Sequence, residues 1–361
     1  MKIHAVETFR VSVPLKKPFK TALRTLAVAQ SIMVKITSED GKTGYGEAPP
    51  THVITGDSLA GIETAVNDVI APLILNQSIL EREGLLHAVD RSMVRNSSAK
   101  AAVDCAIHDL LAQHAGMPLF QFLGGYQSEF TTDYTVSVND PAEMAEDASQ
   151  FVQDGFHTLK IKVGTGSIQL DLERIKAIRE KAGPGCKLRL DANQGWTPKE
   201  AIYAISKMED AGFDIELVEQ PVQAHDIRGL KQVTDHTFTP IMADESVFTT
   251  QDAINVLQTR SADLINIKLM KAGGIHQAIA INKLAEAFGV PCMVGSMIET
   301  KVGITAAAHF AASQRNITRF DFDAPLLLAR DIAAGGVEYA GERMTLPQTP
   351  GLGITGIEGV S

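Results

Sequence analysis

Between Thr131 and Pro325 one unit recurs eight times: a seven-residue β-rich run, a polar break, then a helical stretch. The runs are 132–138, 157–163, 187–193, 215–221, 240–246, 264–270, 291–297 and 319–325, with starts 24 to 30 residues apart. That interval holds one strand plus one crossover helix, and such alternation builds a parallel sheet. Eight consecutive units predict a closed (β/α)₈-type barrel rather than an open doubly wound sheet. The intervening segments agree. Thr197-Pro198-Lys199-Glu200 reads as a capping box with proline at the first helical position, and Gly212 as its stop. Thr249-Thr250-Gln251-Asp252 opens another helix, carrying Ile254 and Leu257.

The first 130 residues follow a different pattern. Alternation at 3–13 and 31–37 predicts antiparallel strands, and 59–73 and 98–115 predict amphipathic helices. Gly124-Gly125 marks the expected boundary at 1–125, with the barrel at 126–329. The tail, 330–361, carries a glycine- and proline-rich stretch from Gly335 that predicts strands folding back onto the first domain. An α+β domain beside a barrel is therefore the expected architecture.

Composition narrows the function. With 33 basic against 43 acidic residues the net charge is −10, which argues against a protein that coats nucleic acid. No stretch approaches the roughly 18–20 apolar residues that cross a bilayer, and the N-terminus lacks a leader-like apolar core. Three widely spaced cysteines form no C-x-x-C pair, so a disulfide framework or structural zinc is not expected. A cytoplasmic homo-oligomeric protein with a small-molecule substrate is the expectation.

Barrel active sites lie at the C-terminal ends of the strands. There the second run delivers Lys160 and Lys162, the third Asp191, the fourth Glu219, the fifth Asp244, the sixth Lys268, and the eighth Asp321 and Asp323. From Lys162 to Lys268 the spacings are 29, 28, 25 and 24, tracking the repeat. A lone Asp at a strand end is ordinarily a helix cap, and a lone Lys a solvated charge. A whole set in register inside apolar runs must instead be paired or bound to a metal.

Asp191, Glu219 and Asp244 on adjacent strands, without His or Cys, predict a hard cation, Mg²⁺ first. Strands two and six lie opposite in an eight-strand ring, so Lys162 and Lys268 flank whatever the metal holds. Lys160 and Lys162 share one face; their repulsion, with the cation, is expected to lower a lysine pKa and make a general base. A carboxylate on the cation can lose its α-proton as the metal stabilises the enediolate. Two opposed lysines predict 1,1-proton transfer; one base alone suits β-elimination equally well. Asp321 and Asp323 call for a substrate ammonium away from the cation. The segments 20–25 and 49–56 read as loops closing the barrel mouth, and Arg24 as a clamp for a second carboxylate or an ordinary exposed arginine.

Lys160-Ile161-Lys162, Asp191-Ala192-Asn193, Val218-Glu219-Gln220-Pro221, Ala243-Asp244-Glu245-Ser246 and Asn266-Ile267-Lys268 resemble the muconate-lactonising subgroup of the enolase superfamily. Within it, Asp321-Phe322-Asp323 and Arg24 resemble the dipeptide epimerases acting on L-Ala-D/L-Glu. The resemblance implies a TIM-type (β/α)₇β barrel with an N-terminal α+β capping domain completed by the C-terminal tail. It implies Mg²⁺ on Asp191, Glu219 and Asp244, acid/base work by Lys162 and Lys268, and carboxylate binding and enediolate stabilisation by Lys160. Asp321 and Asp323 would hold the alanine ammonium, and Arg24 the glutamate side-chain carboxylate. Thr135, Ser296, Ile298 and Ile54 match positions lining the dipeptide site. The implied role is murein-peptide metabolism.

Rival readings are a cycloisomerase or lyase of the same superfamily (muconate lactonising or o-succinylbenzoate synthase), an N-acylamino acid racemase, a Schiff-base aldolase and a catalytically dead binding protein. Gly164-Thr165-Gly166 and Gly273-Gly274 lack a phosphate-loop pattern and read as turns; His309, in an apolar helix, reads as structural.

Overall fold

The computed structural model describes residues 1–360; Ser361, the last residue of the tail, lies outside them. A long hairpin, β1 (Ile3–Lys20) and β2 (Thr25–Ser38), is joined by β3 (Thr43–Ala48) into an antiparallel sheet. The helix Ser97–Ala115 lies across it at unusually close range. A Cβ on Gly46 would sit 1.9 Å from the Ala102 carbonyl oxygen, and one on Gly44 2.1 Å from that of Ala106. On its other side the same helix meets the barrel, where the Ile275 N–H donates to Asp104 Oδ1 (2.6 Å). Sheet on one flank and barrel on the other leave Ser98 through Ala112 buried all round. The expected amphipathic helix at 98–115 is thus a core helix.

The expected helix at 59–73 is interrupted. Leu59–Thr64 is α, Ala65–Ile70 widens to a π-turn, and Ala71–Ile74 returns to α. Pro72 has no N–H for the Asp68 carbonyl and its ring crowds that oxygen, which accounts for the widening.

The barrel follows. A short β4 (Glu129–Thr131) precedes eight parallel strands, seven inside their expected runs and the eighth starting two residues before 319–325. They are β5 (Tyr134–Val136), β6 (Thr158–Lys162), β7 (Lys187–Asp191), β8 (Ile215–Glu219), β9 (Ile241–Ala243), β10 (Leu264–Ile267), β11 (Cys292–Val294) and β12 (Ile317–Phe320). Sheet order follows chain order. The seam between β12 and β5 carries no ladder; the Asp133 N–H to the Phe320 carbonyl (3.3 Å) closes it. β12 is followed by a single turn, Ala324–Leu327, in place of a crossover helix, so the barrel is (β/α)₇β rather than the (β/α)₈ of simple repetition. The predicted capping box forms at Thr197/Glu200, and the helix expected to open at Thr249 does so with a second one, Thr249/Asp252.

The barrel interior holds an apolar cluster of Leu217, Met242, Leu264 and Met293. It also holds an ionic one, in which Arg189 bridges Asp133 (2.8 Å) and Glu216 (2.6 Å).

The tail forms β13 (Ala333–Gly335), β14 (Glu338–Ala340), β15 (Arg343–Thr345) and β16 (Ile354–Ile357). Its expected packing on the first domain holds for part of it. Ile332, Ala333 and Ile357 join Val11, Val13 and Leu15, whereas Met344, Leu346 and Leu352 belong to the barrel core. The division arises because β15 pairs with β4 at the start of the barrel, while β13 and β16 pair with each other.

Candidate active site

The charged residues sit at the strand ends. Lys162, Asp191 and Glu219 are the last residues of β6, β7 and β8; Asp244, Lys268 and Asp321 directly follow β9, β10 and β12. Lys162, Asp191 and Glu219 are register partners across three strands. Beyond them Asn193, Gln194 and Gln220 take left-handed backbone conformations (φ +43°, +68° and +35°). The chain therefore turns sharply after each strand, and its carboxylates stay at the mouth.

Each carboxylate has an ammonium partner. Asp191 Oδ2 accepts from Lys162 Nζ (2.6 Å) and lies 3.3 Å from Lys160 Nζ, while its Oδ1 takes the Asn193 N–H (3.0 Å). Glu219 Oε1 accepts from Asn266 Nδ2 (2.7 Å). Its Oε2 touches Lys160 Nζ at 2.6 Å but off the hydrogen-bonding direction. Asp244 Oδ2 accepts from Lys268 Nζ (2.7 Å), and Oδ1 contacts Lys271 Nζ at 2.6 Å, again undirected. Among the described residues no three Asp, Glu, His or Cys side chains are gathered so that an ion could sit between them. Of the three acids expected to converge, Asp191 and Glu219 are register partners while Asp244 lies two residues beyond Met242, the partner of Glu219, and all three are turned to lysines.

Their chemistry still fits a hard divalent cation. The set is all oxygen and anionic, and Glu219 Oε2 and Asp244 Oδ1 are buried without a directed donor. Six buried carboxyls (Asp191, Glu219, Asp244, Glu245, Asp321, Asp323) face four buried lysines (160, 162, 268, 271). Burial, with Asp191 alongside, pushes Glu219 up to about 7; burial, with Asp244 alongside, pushes Glu245 up to about 8. Asp191 and Asp244 are held low, because their lysines outweigh the cost of burial.

Two expectations are corrected here. Burial works against the charged form of Lys160, but Asp321, Glu219 and Asp191 outweigh it and hold this lysine well above its usual range. Lys268 is likewise raised, burial being overcome chiefly by Asp244. Repulsion between lysines does not lower either one, because carboxylates outnumber them. Nor does Asp321 stand apart from the acidic triad: its Oδ2 accepts from Lys160 Nζ (2.7 Å), the same ammonium that touches Glu219. β12 is only two strands from β6 around the ring, and a lysine spans that gap.

Asp323 Oδ2 accepts the Thr135 N–H (2.7 Å), and burial beside Asp321 raises this carboxyl to about 6. It opens the turn 324–327 without capping it. Lys160, Lys162, Lys268, Asp321 and Asp323 border one cavity of about 50 Å³. The β11 loop adds Ser296 and Ile298, and β5 adds Thr135. Arg24 reaches the cavity from the β1–β2 hairpin and Ile54 from the 49–56 segment, so each predicted loop contributes a side chain to its lining. Such a volume holds a few waters. Arg24 is partly buried, burial lowers its pKa, and its guanidinium makes no ion pair among the described residues. Every candidate residue outside the acidic triad therefore meets in one place.

Residues 3–124 match the family description "Mandelate racemase / muconate lactonizing enzyme, N-terminal domain", and 143–359 match "Enolase C-terminal domain-like". The chain belongs to this family. Family members of similar sequence include an L-Ala-D/L-Glu epimerase of Bacillus subtilis, 62% identical over 99% of this chain and 97% of that one. Another is a hydrophobic dipeptide epimerase of Enterococcus faecalis, 46% identical over 98% of this chain and 100% of its own. The structure of a substrate-liganded complex of the B. subtilis enzyme superposes with a TM-score of 0.98, covering 99% of both chains. The E. faecalis enzyme complexed with Mg and the dipeptide L-Leu-L-Tyr gives 0.96, covering 99% of this chain and 100% of that one.

Within this family frame, some residues carry no sequence signal that singles them out. Lys271 lies on the turn after Lys268 and donates to the Asp244 and Asn266 carbonyls, fixing two strand ends. Glu245, Asn193 and Asn266 were legible only as motif letters; the Asn193 amide donates to Glu245 Oε1 (3.3 Å). The turn reading of Gly164 is right: φ is +83°, and a Cβ would meet the Ala192 carbonyl oxygen at 2.4 Å. His309 is structural, its Nδ1 accepting the Phe120 N–H (2.9 Å).

Proposed function

We propose that the chain is a Mg²⁺-dependent epimerase of Ala-Glu dipeptides, interconverting L-Ala-D-Glu and L-Ala-L-Glu by two-base 1,1-proton transfer at the glutamate Cα. The observation that carries the reading is the placement of Lys162 and Lys268, four strands apart in an eight-strand ring and bordering one cavity. Asp191, Glu219 and Asp244 would hold the cation, which supplies Lewis-acid stabilisation of charge developing on the substrate carboxylate. Lys160 adds a fixed positive charge beside that carboxylate. One of Lys162 and Lys268 takes the α-proton through Nζ, and the other returns a proton to the opposite face.

Substrate charges match the remaining groups. Asp321 and Asp323 receive the alanine ammonium, and the otherwise unpaired Arg24 receives the glutamate side chain. Thr135, Ser296, Ile298 and Ile54 form the walls. Arg24 and Ile54 lie on closing segments, which must open to admit a dipeptide into so small a cavity. In the same reading residues 1–125 with the tail strands β13 and β16 form the capping domain and 126–329 with β14 and β15 the barrel domain, and the enzyme acts on murein peptides in the cytoplasm. An N-acylamino acid racemase or a cycloisomerase has no use for two aspartates beside the cavity.

Incubation of L-Ala-L-Glu with the protein and Mg²⁺ in D₂O, followed by ¹H NMR, tests this. The glutamate α-proton signal should fade as the second diastereomer appears, and EDTA should stop both. Exchange without inversion, or no exchange at all, overturns the proposal.

A further inference from the structure

Asp321 and Asp323 flank Phe322, whose backbone is held at both its N–H and its carbonyl. Its N–H donates to Thr132 Oγ1 (2.8 Å), and its carbonyl accepts from the Tyr339 hydroxyl (2.7 Å). Tyr339 comes from the C-terminal tail, far from the site in sequence. On β14 it pairs with Met344 of β15, and Met344 pairs with Phe130 of β4. Residues directly opposite one another in antiparallel strands project from the same face. Tyr339, Met344 and Phe130 are therefore one cross-strand row, and that row meets Phe322. The Phe130 ring contacts the fully buried Phe322 ring edge-on at 6.0 Å, while Tyr339 holds the Phe322 backbone. Burial holds the Tyr339 phenol well above its usual range, so it remains a donor at any working pH.

The consequence concerns the two neighbouring aspartates. Asp321 is secured by Lys160 through its side chain, and Asp323 by the Thr135 N–H. The backbone joining them is set by Tyr339 and Thr132. Two carboxylates share one ammonium more tightly when the backbone between them fixes their separation. We propose that Tyr339 is a positioning residue for the ammonium end of the substrate, through which the C-terminal tail sets recognition of the dipeptide N-terminus. The inference rests on the assignment of Asp321 and Asp323 to the substrate ammonium.

The test uses two ligands differing only in that group: L-Ala-L-Glu and N-propionyl-L-glutamate, which has hydrogen in place of the amine. In the Mg²⁺-loaded wild type, L-Ala-L-Glu should bind at least tenfold more tightly. In Tyr339→Phe its KM should rise at least fivefold with kcat within twofold, while the inhibition constant of N-propionyl-L-glutamate stays put. If that variant does not fold, as judged by thermal melting, Thr132→Val removes the other bond to the Phe322 backbone and carries the same expectation. Equal weakening of both ligands makes Tyr339 merely structural and overturns the proposal, as does no change in either. Equal binding of the two ligands by the wild type instead overturns the ammonium assignment itself.

Discussion

Removing one lysine at a time separates the two faces of the reaction. Lys162→Ala deletes the ammonium 2.6 Å from Asp191 Oδ2. Breaking a buried ion pair costs about 3–5 kcal/mol when the remaining charge is abandoned. Asp191 is not abandoned, since Lys160 stays at 3.3 Å and the Asn193 N–H at 3.0 Å, so a loss of about 3 kcal/mol or less is expected. In Lys268→Ala, Asp244 likewise keeps Lys271 at 2.6 Å. Both variants should fold, since domains of this size withstand losses of about that scale. Catalysis is another matter. A positioned acid or base contributes about 10²–10⁴-fold, or about 3–5 kcal/mol of barrier. Epimerisation needs both lysines, so each variant should fall by at least that factor. Exchange of the α-proton needs only one. ¹H NMR in D₂O on L-Ala-L-Glu and L-Ala-D-Glu separately should show each variant washing deuterium into a single diastereomer, a different one for each lysine. Both variants exchanging the same diastereomer, or either retaining epimerisation within tenfold of wild type, would refute the two-base scheme.

Other consequences are simpler to read. Asp323→Asn should raise KM for L-Ala-L-Glu by about 10–100-fold, the worth of a charge-assisted hydrogen bond, with Mg²⁺ affinity by calorimetry unchanged. Burial pushes His309 down to about 3 against 6.5 when exposed, so unfolding takes up a proton between those values. The stability this brings is full above pH 6.5 and falls with pH, by about 3 kcal/mol at pH 4.5. Urea midpoints at pH 7 and pH 4.5 should therefore differ less in His309→Gln than in wild type; an equal difference in both would contradict it. Gly46→Ala must displace the helix Ser97–Ala115, because the added carbon falls 1.9 Å from a backbone oxygen. A melting temperature lowered by about 5 °C or more is expected, from an overpacking cost of about 3 kcal/mol or above.

Much of the site was legible because barrel strands impose a period. Lys162, Asp191, Glu219, Asp244 and Lys268 recur at the interval of the repeat, so their common level followed from counting. Arg24 and Ile54 were legible as members of loops, but their meeting over the cavity depends on a hairpin from another part of the chain. The charge state that the protein's own groups give Lys160 departs from the expectation of a lowered pKa. Counting nearby lysines suggested lowered pKa values, whereas folding brings Asp321 onto Lys160 and leaves carboxylates in excess. The helix at 98–115 was misread for a related reason: its second apolar partner, the barrel, is invisible in local periodicity.

The sequence alone determined the eight strand–helix units, the acids and amines at their ends, and the turns that expose them, because each depends on spacing within about 30 residues. Tertiary structure decided the partners. The single turn replacing the eighth helix, the seam closed by Asp133, the sharing of Lys160 among three carboxylates and the grip of Tyr339 on Phe322 join residues far apart in the chain. Packing and electrostatics act through space, and a pattern read along one dimension carries no distance between its ends.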